Sequence, residues 1–133
     1  MRSFHLTVVT PDGVRFDGEA ESLLIRTTEG DIEILAGHSD LVAAVGTGRA
    51  RIIENGNSRT ASTSGGMLSV TGKEVKLVPV TFEFKEDIDL ERAKLARENA
   101  EDGIKKAKSD AELKCAKAKL MRALSRISVA SSK

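Results

Sequence analysis

The sequence predicts an α+β protein in which an N-terminal β-sandwich of about eight to ten strands precedes a C-terminal antiparallel helical hairpin. Two observations indicate this order. Up to about residue 84, apolar residues alternate with polar ones, as they do in half-buried strands. Beyond residue 86 they recur every three or four positions, as they do on one face of a helix. We therefore expect a sandwich domain at residues 1–84 and a helical hairpin domain at residues 85–133.

Alternating segments and turn sequences define the strands of the sandwich. Phe4, Leu6 and Val8 fall on one face of a first strand, and His5 and Thr7 fall on the other. Sequences rich in Gly, Pro, Asn and Asp follow at the short spacing that is typical of a sandwich or barrel. These turn sequences are TPDG at 10–13, TEGD at 28–31, ENGN at 54–57, SGG at 64–66 and TGKE at 71–74.

Two sets of apolar residues predict the helices of the hairpin. Ser109 and Glu112 have the spacing of a capping box, so we expect the second helix to begin at Ser109. Since the first set consists mainly of alanine, it buries little area, which predicts weak docking of the hairpin. The first set is Ala93, Ala96, Ala100, Ile104 and Ala107, and the second is Leu113, Ala116, Leu120, Leu124 and Ile127.

Composition and charge narrow the function classes. The chain has four Phe and no Trp or Tyr, so it offers little material for stacking nucleic-acid bases. The net charge of +1 is uneven: residues 1–84 carry −3, and residues 85–133 carry +4. A basic C-terminal arm indicates either an acidic partner or a solvated lysine face. The single cysteine excludes an internal disulfide and is typical of a reducing compartment.

Motifs for catalysis and metal binding are missing from the sequence. There is no GxxxxGK[ST] phosphate loop, and Ser64 lacks a GxSxG frame. Two histidines, His5 and His38, and one cysteine, Cys115, make no convincing metal site. No apolar run approaches the ~20 residues that span a bilayer. We expect no catalytic residues, no metal, no direct membrane insertion and no enzyme activity of the chain by itself.

Four segments in a fixed order carry a family resemblance. They read VVTPDGVRFDGEAESLLIRTTEGDIEILAGHSDLVAAV, TSGGMLSV, EDIDLERA and RALSRISVA. In this order and spacing they resemble the epsilon subunit of the bacterial ATP synthase over essentially the whole chain. The resemblance implies a non-catalytic rotor subunit of the central stalk, which couples proton or sodium translocation to ATP synthesis. It also implies a peripheral location at the cytoplasmic face of the cell membrane.

The resemblance assigns partner contacts to the sandwich, which would bind the gamma subunit and rest on the c-ring loops. The family segment reads approximately G-x-L-G-I-L-P-G-H-x-P-L, and this chain departs from it with Glu33, Ala36 and Asp40 in place of a glycine and two prolines. Losing prolines predicts a looser loop, and Glu33 would be strained if that position needed a positive φ. The assigned residues are Glu29, Asp31 and Glu33 toward the ring and His38 toward gamma.

Several bacterial epsilon subunits bind ATP through an I/L-D-x-x-R-A motif and arginines of the second helix, and the resemblance extends to those residues. Asn99 departs from the pattern, since ATP binders often carry arginine there. From the residues alone, two interpretations of Asp89 and Arg92 stay open: a helix start favoured by the helix dipole, or a pair that grips an anion. The matching residues are Glu83, Ile88, Asp89, Arg92, Ala93, Arg122 and Arg126.

The implied mechanism is a hairpin with two states, for which ATP is a regulatory ligand and no cofactor is required. Folded down, the hairpin permits ATP hydrolysis. Extended, its basic second helix contacts the alpha and beta subunits and blocks hydrolysis. A free-standing ATP-sensing module that regulates another partner is the alternative, and binding to nucleic acid is disfavoured by the small net charge. The basic side chains of the arm are Lys114, Lys117, Lys119, Arg122 and Arg126.

Overall fold

The computed structural model describes residues 2–132, which form ten strands followed by a 3₁₀ turn at Lys85–Asp87 and two α-helices. The predicted α+β order and the predicted number of strands are confirmed. No helix within residues 2–132 is long and apolar enough to cross a membrane. The elements are β1 Phe4–Thr10, β2 Gly13–Ala20, β3 Ser22–Thr27, β4 Gly30–Leu35, β5 Leu41–Ala44, β6 Gly48–Glu54, β7 Asn57–Ser64, β8 Met67–Thr71, β9 Glu74–Val78, β10 Thr81–Phe84, α1 Leu90–Lys106 and α2 Asp110–Ser131.

The strands build two five-stranded sheets packed face to face. The first sheet has the order β2-β1-β9-β8-β5, and the second has the order β10-β7-β6-β3-β4. Neighbouring strands are antiparallel except for the parallel pair β1–β9. Phe4, Leu6 and Val8 are buried between the sheets, as their alternation predicts. The core is mainly aliphatic, with Leu23 and Leu68 completely enclosed, and it also contains all four phenylalanines of the chain.

Two of the predicted turns depend on glycine for a definite reason. In ENGN, Asn55 and Gly56 have φ of 51° and 77°, as both central residues of a type I′ hairpin turn must. In SGG, Gly66 has φ of 90°, and a Cβ at this position would lie 2.0 Å from the carbonyl oxygen of Val78. Only glycine therefore fits where the chain passes from the second sheet to the first.

A β-bulge interrupts the pairing of β1 with β2. Val8 pairs with Phe16, whereas the next residue, Val9, pairs with Val14, so Arg15 is the extra residue of β2. Simple alternation would place Val14 on the same face as Phe16. Because the bulge shifts the register, Phe16 is buried while 62% of Val14 is exposed.

The helix start at Ser109 is confirmed by its hydrogen bonds. Ser109 is the N-cap of α2, and its Oγ accepts from the N–H of Glu112 at 3.1 Å. The carboxylate of Glu112 accepts from the N–H of Lys108 at 2.8 Å, so the reciprocal bond of the capping box reaches one residue further back.

Small residues line the contact between the two helices. Ala93, Ala100 and Ala116 are buried, as predicted. The prediction is wrong for Leu124, which is 42% exposed, while Ala123 is 2% exposed in its place. Ala123 lies seven residues beyond Ala116, nearly two full turns, and therefore returns to the same face, whereas Leu124 is turned about 100° further.

The hairpin packs against the outer face of the second sheet through α2. Ser62 Oγ of β7 and Ser125 Oγ of α2 are 2.8 Å apart, and Val129 is only 1% exposed. At the far end of α2, Lys85 Nζ donates a hydrogen bond to the carbonyl oxygen of Ser132. The hairpin is therefore folded down onto the sandwich in this structure.

Candidate functional site

Glu83 of β10 and Arg126 of α2 meet on the outer face of the second sheet, at its edge strand β10. Glu83 Oε1 lies 2.7 Å from Arg126 Nε, and Oε2 accepts from Nη2 at 3.2 Å. The Nε–H is nevertheless poorly aligned with the carboxylate. This buried nitrogen therefore has no hydrogen-bond partner within residues 2–132. Each side chain is about two-thirds or more buried, at 32% and 26% exposure. The pair is thus a close ionic contact that leaves one buried donor unsatisfied.

Two neighbouring clefts surround this ion pair. The larger, of about 320 Å³, is lined by Glu83, Arg126, Arg92 and the β1–β2 segment that carries Arg15. The smaller, of about 80 Å³, shares Glu83 and Arg126 and adds Arg122. Neither Arg92 nor Arg122 forms an ion pair with another residue of the 2–132 segment. An excess of arginine over carboxylate at one junction is chemistry suited to a phosphate-bearing ligand.

A groove of about 590 Å³ runs between the two helices and opens beside the same arginines. Its floor is made of small residues, including Ala96, Ala100 and Gly103, because no larger side chain fills the space between the helices there. Its rim carries Asn99 and Lys119 together with Arg122 and Arg126. An apolar floor beside cationic side chains suits a ligand that joins a planar ring to phosphates.

The structure brings together four of the seven residues assigned to ATP binding. Glu83, Arg92, Arg122 and Arg126 line the two clefts. Asp89 is instead the N-cap of α1, and its Oδ1 accepts from the backbone N–H of Arg92 at 3.2 Å. The helix-start interpretation therefore describes the contact that Asp89 makes here.

The other two assigned residues have structural positions of their own. Ile88 follows the 3₁₀ turn and donates its backbone N–H to the carbonyl oxygen of Lys85. Ala93 is completely buried in α1. Neither residue lines the clefts or the groove described above. Ligand contacts from all seven assigned residues stay a prediction.

The residues assigned to the ring contact lie on the β3–β4 hairpin. Glu29 is exposed in the two-residue turn, and Asp31 pairs with Arg26 Nε at 2.8 Å. Glu33 lies in β4 with an extended backbone, so the substitution for glycine imposes no left-handed strain. Its carboxylate accepts from Ser22 Oγ at 3.1 Å. The hairpin thus presents acidic groups at one end of the sandwich.

The segment assigned to gamma follows β4. His38 is half-buried, and its Nδ1 lies 2.7 Å from the carbonyl oxygen of Ser39. Ala36 packs partly against the core. The carboxylate of Asp40 accepts from the N–H of Gly72 at 3.0 Å, which ties this loop to the β8–β9 turn. The hydrogen bond of Asp40 therefore anchors the loop at the position of the second proline in the family segment.

The lysines assigned to the alpha and beta subunits are exposed along α2. Lys114, Lys117 and Lys119 make no ion pair with any residue of the 2–132 segment. Lys119 also lies on the rim of the interhelical groove, a position that the sequence did not indicate. The charge of this face is thus unneutralised while the hairpin is folded down.

His5 forms a separate cluster on the outer face of the first sheet, where the alternation places it. Its Nε2 lies 2.6 Å from Asp17 Oδ1 on β2, and its Nδ1 lies 2.8 Å from Glu74 Oε2 on β9. These hydrogen bonds, to Asp17 first and then to Glu74, raise the pKa of His5 above its ordinary value of 6.5. The cluster ties three strands together and takes no part in the clefts.

The fold and the arginine-lined junction define a class of protein: a small interaction subunit made of a β-sandwich and a docked helical hairpin. Comparison with known families identifies the family within this class. The β-sandwich domain of the ATP synthase delta/epsilon chain matches residues 3–85, and the long α-helix domain of the same chain matches residues 86–131. The chain therefore belongs to the ATP synthase delta/epsilon family and is a non-catalytic subunit of the epsilon type, as the resemblance implied.

Individual relatives agree with this assignment. The chain is 36% identical over 130 residues to the ATP synthase epsilon chain of Bacillus velezensis, covering 98% of both chains. It is 39% identical over 127 residues to that of Clostridium novyi, covering 95% of this chain and 96% of the relative.

Solved structures show the same fold. A chain in the Euglena gracilis mitochondrial ATP synthase superposes with a TM-score of 0.83 at 24% identity, covering 98% of this chain and 82% of that one. A chain in the central stalk and c-ring structure of the Tetrahymena thermophila mitochondrial ATP synthase gives 0.69 at 13% identity, covering 98% of both.

Proposed function

We propose that the chain is a peripheral subunit of the central stalk of a bacterial F-type ATP synthase, at the cytoplasmic face of the membrane. Its sandwich binds the gamma subunit and rests on the loops of the c-ring, and so helps to couple proton or sodium translocation to ATP synthesis. Family membership and the central-stalk complexes that contain its structural neighbours support this role.

An exposed apolar row on the first sheet supports docking of the sandwich onto gamma. Val14 of β2 lies opposite Val9 of β1, and Val78 of β9 lies opposite Met67 of β8, while β1 and β9 are themselves neighbouring strands. Val14, Val78 and Met67 are 62%, 51% and 47% exposed. A contiguous apolar row on a sheet face is typical of a surface that a partner covers.

The hairpin, we propose, binds ATP at the junction with the sandwich. The observation that carries this proposal is the convergence of Arg92, Arg122 and Arg126 around Glu83, in clefts whose other acid, Asp12, is 82% exposed. Arginine makes charge-assisted, bidentate contacts with phosphate, and a triphosphate would relieve the repulsion among the three cations. The groove beside Asn99 has room for the nucleoside. Asn99 itself supplies no cation, so the affinity should be lower than with arginine there.

ATP acts on the hairpin by shifting its population between two states. A ligand that binds only the docked hairpin stabilises that state as its concentration exceeds its Kd. In the docked state ATP hydrolysis by the catalytic head is permitted. When the hairpin extends, Lys114, Lys117 and Lys119 contact acidic loops of the alpha and beta subunits and hydrolysis is blocked.

Calorimetric titration of ATP into the full chain tests nucleotide binding. We expect saturable binding that is weaker for ADP and lost in Arg126→Ala. Arg97→Ala is the matched control, because Arg97 is also a helical arginine but lines neither cleft and pairs with Glu101 at 3.7 Å. No heat up to millimolar ATP would show that EDIDLERA is only a helix start, and that another signal controls the hairpin.

Reconstitution tests the role in the stalk. The chain should co-purify with the gamma subunit, whereas a free-standing ATP-sensing module would not. Deleting residues 86–133 should raise the ATPase rate of the assembled catalytic head, because the inhibitory arm is removed. An unchanged rate would argue against inhibition by the hairpin and leave the role of the sandwich intact.

A further inference from the structure

Arg15 is placed by the β-bulge that interrupts the pairing of β1 with β2. Since Val8 pairs with Phe16 and Val9 with Val14, Arg15 has no partner in the ladder. Bulges occur preferentially on edge strands and near functional sites, where they redirect a side chain. β2 is the edge strand of the first sheet. The bulge therefore takes Arg15 out of the regular alternation of side chains in β2, at an edge of the sandwich.

The side chain of Arg15 lines the cleft of about 320 Å³ together with Glu83, Arg92 and Arg126. Its contact with a carboxylate is loose: Nη2 lies 3.7 Å from Asp12 Oδ2, and the two side chains are 43% and 82% exposed. An exposed pair at this distance contributes little to stability. The guanidinium is thus available to a ligand in the cleft.

The cations around Glu83 differ in the part of the chain that carries them. Arg92 lies on α1, and Arg122 and Arg126 lie on α2, so all three belong to the hairpin. Among the residues that line the two clefts, Arg15 is the one cation contributed by the sandwich. A ligand that contacts Arg15 and the helical arginines together would bridge the sandwich and the hairpin.

We propose that Arg15 contacts the phosphates of the nucleoside triphosphate, and that this contact fastens the hairpin to the sandwich when the ligand binds. The inference rests on the proposed ATP binding and adds to it a residue outside the hairpin. Because Arg15 meets the helical arginines only in the docked state, its contact makes the ligand selective for that state.

Titration calorimetry with ATP tests the contact directly, using the wild type, Arg15→Ala, Arg15→Lys and Lys73→Ala. Loss of one charge-assisted phosphate contact should weaken ATP binding by about ten- to a hundredfold in Arg15→Ala. Arg15→Lys keeps the charge without the bidentate geometry, so its ATP affinity should lie between those of the wild type and Arg15→Ala. Lys73→Ala, in the exposed β8–β9 turn away from the clefts, should stay within about twofold of the wild type.

Hydrogen exchange of the α2 amides separates ligand contact from a merely structural role. With saturating ATP, α2 should be less protected in Arg15→Ala than in the wild type, whereas the two proteins should exchange alike without ATP. Faster exchange without ATP would show that Arg15 supports the fold instead, and would overturn the proposal. If Arg15→Ala binds ATP within twofold of the wild-type affinity, the proposed contact of Arg15 is overturned, and the proposed nucleotide site is not. Absence of ATP binding by the wild type would overturn it together with the proposed nucleotide site.

Discussion

Glu83 and Arg126 join the last strand of the sandwich to the second helix through two close contacts, of 2.7 and 3.2 Å. Docking of the hairpin therefore has an ionic component in the absence of any ligand. In the proposed complex, the same carboxylate would compete with the phosphates of ATP for Arg126. Nucleotide binding should consequently involve a rearrangement of this pair, in which the unsatisfied Nε of Arg126 gains an acceptor.

Replacing Glu83 by glutamine should loosen the docked hairpin. Charge-assisted hydrogen bonds contribute about 1.5–3 kcal/mol, and partial exposure reduces this, so we expect a loss of about 1 kcal/mol. This loss of docking stability should appear as faster hydrogen exchange of the α2 amides. Glu86→Gln is the control, because the contact of Glu86 with Arg59 is longer, 3.4 Å, and Glu86 is 61% exposed. Equal exchange in the two variants would contradict a role for the Glu83–Arg126 pair in docking.

A disulfide between positions 62 and 125 should hold the hairpin down. The Oγ atoms of Ser62 and Ser125 are 2.8 Å apart, so cysteine side chains at these positions would meet. With Cys115 replaced by serine, the oxidised double variant should resist unfolding by roughly 2–4 kcal/mol more than the reduced one.

The same disulfide tests the inhibitory state in the reconstituted enzyme. The oxidised subunit should leave ATP hydrolysis uninhibited, and reduction should restore inhibition, because only the reduced hairpin can extend. The Ser62→Cys single variant controls for the substitution itself. Inhibition that persists after oxidation would refute the requirement for an extended hairpin.

The His5 cluster should make stability depend on pH. Because Asp17 and Glu74 raise the pKa of His5 in the folded state, protonation favours folding. The contribution is complete below the ordinary pKa of 6.5 and is lost as the pH rises through the higher folded pKa. Chemical denaturation of the wild type and His5→Gln should therefore differ most at mildly acidic pH and converge at alkaline pH. A difference that grows with pH would contradict this sign.

Gly66 should tolerate no side chain. In Gly66→Ala, the new Cβ would collide with the backbone of Val78 and Pro79, at a positive φ of 90°. We expect a loss of more than about 3 kcal/mol or failure to fold. Gly72→Ala is the matched control, because Gly72 also has a positive φ, of 61°, but a Cβ there would meet open space. This variant should lose about 1–2 kcal/mol of stability. Similar denaturation midpoints for the two variants would show that the collision is relieved by movement of the chain.

Local patterns sufficed for much of the fold. The alternation at Phe4, Leu6 and Val8 located a half-buried strand, and ENGN located a hairpin turn, since both signals depend on a few adjacent residues. The spacing of Ser109 and Glu112 likewise located the start of α2. The face of α2 was less well determined, because Leu124 is the more hydrophobic residue but Ala123 has the position that the close approach of the helices requires.

The candidate site was only partly visible in the sequence. The family motif indicated Glu83, Arg92 and Arg126, but nothing local marked Arg15. The one signal was indirect: TPDG precedes a β2 in which Val14 and Phe16 look like neighbours on one face, and only the pairing with β1 reveals the bulge between them.

By itself, the sequence determined the order of strands and helices, their turns and caps, and the family, because each of these is encoded in short-range periodicity or motif order. Tertiary structure alone decided that Arg15, Glu83 and Arg126 share one cleft, since these residues are separated by as many as 111 positions in the chain. It also decided that the hairpin lies on the second sheet, with Ser62 against Ser125. Strand register and helix docking are set by packing between distant segments, which no local pattern records.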